Sequence, residues 1–164
     1  MSDDQHGQPF LSSSRAVGAY AREFTRLSDD IIEAATDAFR DVAGCTVDVR
    51  RSPERCILQV GPSALTVAFV RDRRDSPEGE LLVMHWRGSV APTLRQRPER
   101  LGQPTRSAEA LFESVFVAEA TSETDWMWRS REEPDRRYTS LSLAASVIDR
   151  LRIIHDEASN RLTA

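Results

Sequence analysis

The sequence predicts an α+β domain: an antiparallel meander of about five or six strands, flanked by a long N-terminal helix and a C-terminal helix. Three observations carry this. Apolar residues recur at helical spacing near the two ends, from Val17 to Ala38 and from Leu141 to Leu162. Between them, residues 45–87 alternate apolar and polar and are broken by short turns such as Arg51-Ser52-Pro53-Glu54 and Gly61-Pro62-Ser63. Strands joined by turns this short must pair antiparallel. The length of 164 residues suits one domain, residues 13–164, with a core that needs no disulfide or metal.

Residues 1–12 are polar and read as a disordered leader. Ser12, Ser13 and Ser14 offer N-caps for the first helix. Val17, Tyr20, Phe24, Leu27, Ile31, Ala34 and Ala38 then repeat at steps of three and four. Either one helix runs from about Ser14 to Val42, or it breaks at Ser28, where Asp29 and Asp30 follow a fresh cap. Gly44 is placed to end it. The stripe is close to heptad spacing, so it can pack on the chain's own sheet or form a seam with a partner.

Cys45–Arg50 alternates, with Cys45, Val47 and Val49 on one face. Cys56–Val60 returns as a second strand, and Ala64–Arg71 forms a third with Leu65, Val67 and Phe69 buried. In this hairpin Arg50 is expected near Arg55, which sets Cys45 opposite Val60 and away from Cys56. Arg71 to Gly79 is a charged loop. Glu80–Arg87, reading Glu-Leu-Leu-Val-Met-His-Trp-Arg, is the strand around which the core is built: Leu81, Val83 and His85 face one way, Leu82, Met84 and Trp86 the other. Residues 88–106 form a long loop with Pro92, Pro98 and Pro104, and loops of that length inside a domain are usually functional or disordered.

Residues 107–120 fit either a helix capped by Ser107 or a strand over Glu113–Ala120, with the strand favoured by Val115-Phe116-Val117. That strand would form a hairpin with Asp125–Arg129, whose Trp126 and Trp128 share a face. After a charged loop from Ser130 to Arg137, Thr139 or Ser140 caps the last helix. Leu141, Ala144, Ala145, Ile148, Leu151, Ile154, Ala158 and Leu162 form its apolar stripe, with Arg150, Arg152 and Asp156 to solvent.

The formal charge of −4 is uneven: residues 45–106 are net basic and both flanks net acidic. All positive side chains but histidine are arginine, spread along the chain. No apolar run is long enough to span a membrane, and Met1–Pro9 lacks the features of a secretory signal, so a cytoplasmic protein is expected.

Signals for chemistry are sparse. Two cysteines make no Cys-x-x-Cys and are expected to be inert, and His6, His85 and His155 show no ligand spacing, so no metal or other cofactor is expected. No Gly-rich phosphate loop or Gly-x-Ser-x-Gly elbow is present. An acid–base role for His85 would need a nearby carboxylate, for which Asp48, Glu113 and Asp125 are the candidates.

Three functions compete. The first is a non-enzymatic interaction module, adaptor or chaperone-like and homodimeric, meeting a partner through Tyr20, Phe24, Leu27, Ile31, Trp126 and Trp128. The second is an anion or nucleic-acid binder using Arg95, Arg97, Arg100 and Arg106, opposed only by Glu99; net acidity of the chain weighs against it. The third is a small-ligand pocket or enzyme site near His85 and Trp86. In architecture alone, terminal helices around an antiparallel sheet in an acidic chain resemble small dimeric chaperones and adaptors of bacterial secretion systems, with no shared motif.

Overall fold

The computed structural model describes residues 10–74, 76–90 and 108–163. A single 3-10 turn, Phe10–Ser12, leads into helix α1, Arg15–Ala38. Seven strands follow: β1 Val47–Ser52, β2 Arg55–Val60, β3 Ser63–Arg71, β4 Gly79–Arg87, β5 Glu109–Ser122, β6 Asp125–Ser130 and the two-residue β7 Arg137–Tyr138. Helix α2, Ser140–Leu162, is the last element among the described residues. The sheet order is β1 to β7 in sequence order, every pair antiparallel. This is the expected meander of the α+β class, longer by the short seventh strand.

Strand alternation sorts the side chains into two layers. The register sets Leu58, Leu65 and His85 side by side, then Cys56, Val67 and Val83, then Phe69, Leu81 and Phe116. All nine are buried. Both helices cover this inner face. From α1, Tyr20 stacks on Phe69 and Trp126 at 4.8 and 4.9 Å between ring centroids. From α2, Leu143, Ala144, Val147, Ile148 and Leu151 complete the core.

The helix does not break at Ser28. That residue sits one turn after Phe24 on the buried side, and its hydroxyl bonds to the Cys56 thiol, so core packing overrides the local cap signal. The helix stops at Ala38, short of Val42, and the chain turns through Gly44, whose φ of +69° suits glycine.

The first hairpin also differs from expectation. Ser52 pairs with Arg55 across a two-residue turn, so Arg50 faces Ile57 and Val47, not Cys45, meets Val60. The strand thereby starts two residues late, and Cys45 lies just outside the sheet. The two cysteines remain free thiols. Residues 109–122 are strand throughout, which excludes the helical alternative for that segment; a bulge between His85 and Trp86 leaves Leu111 without a partner on β4. On α2, Thr139 Oγ1 accepts from Ser142 N as the expected cap. The buried stripe is shifted from the expected one: Leu141 and Leu162 are exposed, and Leu143, Val147 and His155 are inside.

Candidate functional site

The six residues expected to meet a partner lie in the interior. Tyr20, Phe24, Leu27, Ile31, Trp126 and Trp128 range from 0% to 7% exposed, pressed between α1, α2 and the inner face of the sheet. Burial pushes the Tyr20 hydroxyl up to about 12, helped by Glu78 and Asp72. Arg95, Arg97, Arg100 and Arg106 fall outside the described residues, as does most of the 88–106 loop.

The opposite face of the sheet presents another apolar surface. Ile57 and Thr66 lie beside Met84, and Ala68 beside Leu82 and Val115; Val117 and Met127 extend the row outward. All of these are half-buried, and among the described residues no helix crosses them. Trp86 is on this face, its Nε1 donating to Thr66 Oγ1 at 3.1 Å. Charges at the far edge are paired within the chain: Glu119 accepts from Arg129 at 2.6 Å and from Arg137 at 2.7 Å, and Glu80 pairs with Arg131. The two arginines hold the Glu119 carboxyl below its usual range, with the Arg137 hydrogen bond the larger cause. At the β2–β3 turn, Gln59 Nε2 donates to the carbonyls of Gly61, Ser63 and Gly88, and its Oε1 accepts from Val90 N. That side chain fixes the course of the chain as it leaves β4.

His85 and Trp86, consecutive on one strand, necessarily point to opposite faces, so they share no pocket. His85 faces α2 instead. It is 2% exposed, and its Nε2 donates to Val147 O at 2.8 Å, which leaves Nδ1 as an acceptor with no partner. Burial lowers its pKa to about 4, with Arg150 adding to the drop and the Val147 bond opposing it. None of the three expected carboxylates reaches it: Asp48 and Glu113 lie on the other face of the sheet, and Asp125 closes the β5–β6 turn by bonding Thr121. A cavity of about 180 Å³ lies beside the ring, bordered by Ser114, Glu132, Glu133, Arg136, Ser146 and Arg150. Among the described residues no three His, Cys, Asp or Glu side chains group as metal ligands, and no helix is long and apolar enough to cross a membrane.

No family model, no curated protein and no solved structure matches the chain. The arrangement that sequence reading missed is at the other end of α2, where Cys45 and His155 meet across 110 positions. Nothing in their spacing signals it, and Cys45 makes the contact from the segment just before β1, which starts at Val47.

Proposed function

We propose that the protein is a non-enzymatic interaction module that pairs with a second copy of itself through the open face of its sheet. One observation carries this: Ile57, Leu82, Met84 and Val115 cluster on a sheet face with no helix of the described chain over it, and Val117 and Met127 lie beyond them beside Glu80, Glu119 and Arg129. Five strands of about six residues span about 500 Å² in projection. Side-chain relief brings the accessible area toward the ~800 Å² per partner of a standard interface. The paired charges at the edge offer no strong field to an acidic or basic partner, so a neutral apolar face gains most from docking, and a second copy supplies one. Sheets stacked this way interleave their side chains about 10 Å apart.

Solution mass by light scattering tests it. The protein is expected to be a dimer, and Leu82→Glu and Met84→Arg are expected to yield folded monomers, since each puts a charge at the centre of the contact. A monomeric wild-type protein, or dimers that survive both changes, overturns the proposal.

A second reading is carried by the cavity beside His85. Arg150 lies over the Phe112 ring at 4.6 Å and forms no ion pair with an acid of the described residues, so it can receive a small carboxylic acid there against the opposing charge of Glu132, while Glu133 is paired with Arg136. Thermal shifts with a series of short carboxylates, present in the wild type and absent in Arg150→Ala, would support it; no shift with any of them removes it.

A further inference from the structure

Around the C-terminal half of α2 a thiol and an imidazole are held together by three separate elements. Cys45 Sγ lies 3.7 Å from His155 Nε2. Asp156 Oδ1 lies 3.5 Å from the other ring nitrogen, Nδ1, which is buried and has no hydrogen-bond partner among the described residues. That carboxylate is held by Arg152 Nε at 3.1 Å, and Arg152 Nη1 donates to Ala38 O at the end of α1. The Phe39 ring meets the imidazole edge-on at 5.1 Å. The imidazole itself is 6% exposed. On its remaining side Gly61, at φ +52°, brings the β2–β3 turn close; a Cβ there would sit 3.3 Å from Nε2. The ring is therefore held by packing between Phe39 and Gly61, with Nε2 on the thiol and Nδ1 unbonded beside a carboxylate.

A cavity of about 580 Å³ opens in front of the pair, bordered by Gly44, Cys45, Pro62, His155 and Ser159. That is the size range of small-molecule sites. The second cysteine offers a contrast, since Cys56 is 0% exposed inside the sheet layer. Burial pushes the Cys45 thiol up, against a smaller downward pull from Arg152, so at neutral pH it is a thiol that needs a base in order to react.

We propose that Cys45 and His155 form a thiol-exchange site that takes low-molecular-weight disulfides. Cys45 Sγ attacks one sulfur of the small disulfide while His155 Nε2 accepts the thiol proton. The new bond is Cys45–S–S–R, the bond broken is the small molecule's S–S, and the departing thiolate takes the proton back from the imidazolium and leaves as RSH. One thiol is oxidised and one sulfur of the disulfide reduced, with no other reactant needed. Asp156, whose carboxylate is 3.5 Å from Nδ1 without bonding it, acts as a positioning residue through its charge, which favours the imidazolium formed in the step. The adduct occupies the cavity and is removed by excess thiol through the reverse reaction.

The test uses the full-length native protein with oxidised glutathione as the probe, followed by intact mass and peptide mapping. One adduct is expected, on Cys45, reversed by dithiothreitol, with Cys56 unmodified until urea is added. His155→Gln is expected to slow the reaction at least ~10-fold at neutral pH, in line with loss of a positioned base. Asp156→Asn, a change at a solvent-side residue, is expected to slow it by a smaller factor, and it serves if the His155 variant fails to fold. Equal rates in wild type and both variants, modification of Cys56 first, or a native protein that gives no adduct would each overturn the proposal.

Discussion

The indole Nε1 of Trp128 donates a 3.0 Å hydrogen bond to Ser140 Oγ, so the middle of β6 is tied to the first residue of α2. The same hydroxyl donates to Glu23 Oε1 at 2.6 Å, which brings in α1. Three elements distant in sequence thus share one oxygen, and all three side chains are buried. Ser140→Ala leaves the indole N–H without a partner inside the core and the Glu23 carboxylate with only the Arg26 guanidinium at 3.7 Å. We expect a loss of about 2–4 kcal/mol in urea unfolding, the cost of orphaned buried polar groups. Glu23→Gln keeps an acceptor for the hydroxyl and should cost clearly less. A Ser140→Ala protein as stable as wild type would show that water replaces the hydroxyl and that the network does not tie the layers together.

His85 makes stability depend on pH. Its folded-state pKa is about 4 against an ordinary 6.5, because burial disfavours the imidazolium. As pH falls below about 6.5 the unfolded chain binds the proton first, so stability that is complete above that value is lost progressively, and the loss is full below about 4. The shift corresponds to about 3 kcal/mol. In His85→Gln the titrating group is gone while a donor to Val147 O is kept. The stability difference between the two proteins, measured at pH 7, 5.5 and 4.5, should therefore change in favour of the variant as pH drops. Carboxylates common to both cancel in that difference. A difference that is flat across the range would place the His85 pKa near its ordinary value.

Two glycines should respond oppositely to alanine. A Cβ on Gly79, at the start of β4, would come within 2.3 Å of Val70 O and 2.9 Å of Arg71 Cα. Both are backbone atoms paired across the β3–β4 ladder, so the strands must part. Gly79→Ala is expected to cost about 2–3 kcal/mol or more. Gly18 sits inside α1 and a Cβ there meets only the mobile end of Arg22 at 3.3 Å. Gly18→Ala should stabilise by about 0.5–1 kcal/mol, since alanine restricts the unfolded chain and favours the helix. Chemical denaturation of the two variants checks the pair; the same sign for both would contradict the packing at Gly79.

Where a single periodicity governed a segment, it could be read from the chain. Leu65, Val67 and Phe69 alternate without interruption and lie inside as expected, and the same holds for Leu81 and Val83. Reading failed where two local signals competed. Ser28-Asp29-Asp30 resembles a helix start, yet the serine side chain is worth more against Cys56 than as a cap. The Pro53-Glu54 turn could hold two residues or four, and the choice moves every partner on β1 by one alternation. The apolar stripe of α1 gave the helix but not its cover, because a strict three–four repeat packs equally well on a sheet or on a second helix. The thiol–imidazole pair was invisible for a deeper reason: a contact between residues 110 positions apart follows from how layers close, and no local pattern encodes that.

The displaced stripe on α2 gives a direct measure of this. Leu141 falls on the expected apolar stripe by spacing but is 69% exposed, whereas Leu143, two positions on, is 1% exposed. The offset arises because Ser140, the first helical residue, is turned inward by its bonds to Trp128 and Glu23, and this sets the rotation of the whole helix. Leu143→Ala should therefore cost about 2–5 kcal/mol, the range for deleting a buried leucine side chain. Leu141→Gln should stay within about 0.5 kcal/mol, as surface changes do. If Leu141 proves the costlier site, α2 is rotated from this position by about 200° (two residues at 3.6 per turn), and His85 would lose its Val147 partner. The two substitutions thus test the orientation of the helix that both polar pairs, His85–Val147 and Cys45–His155, depend on.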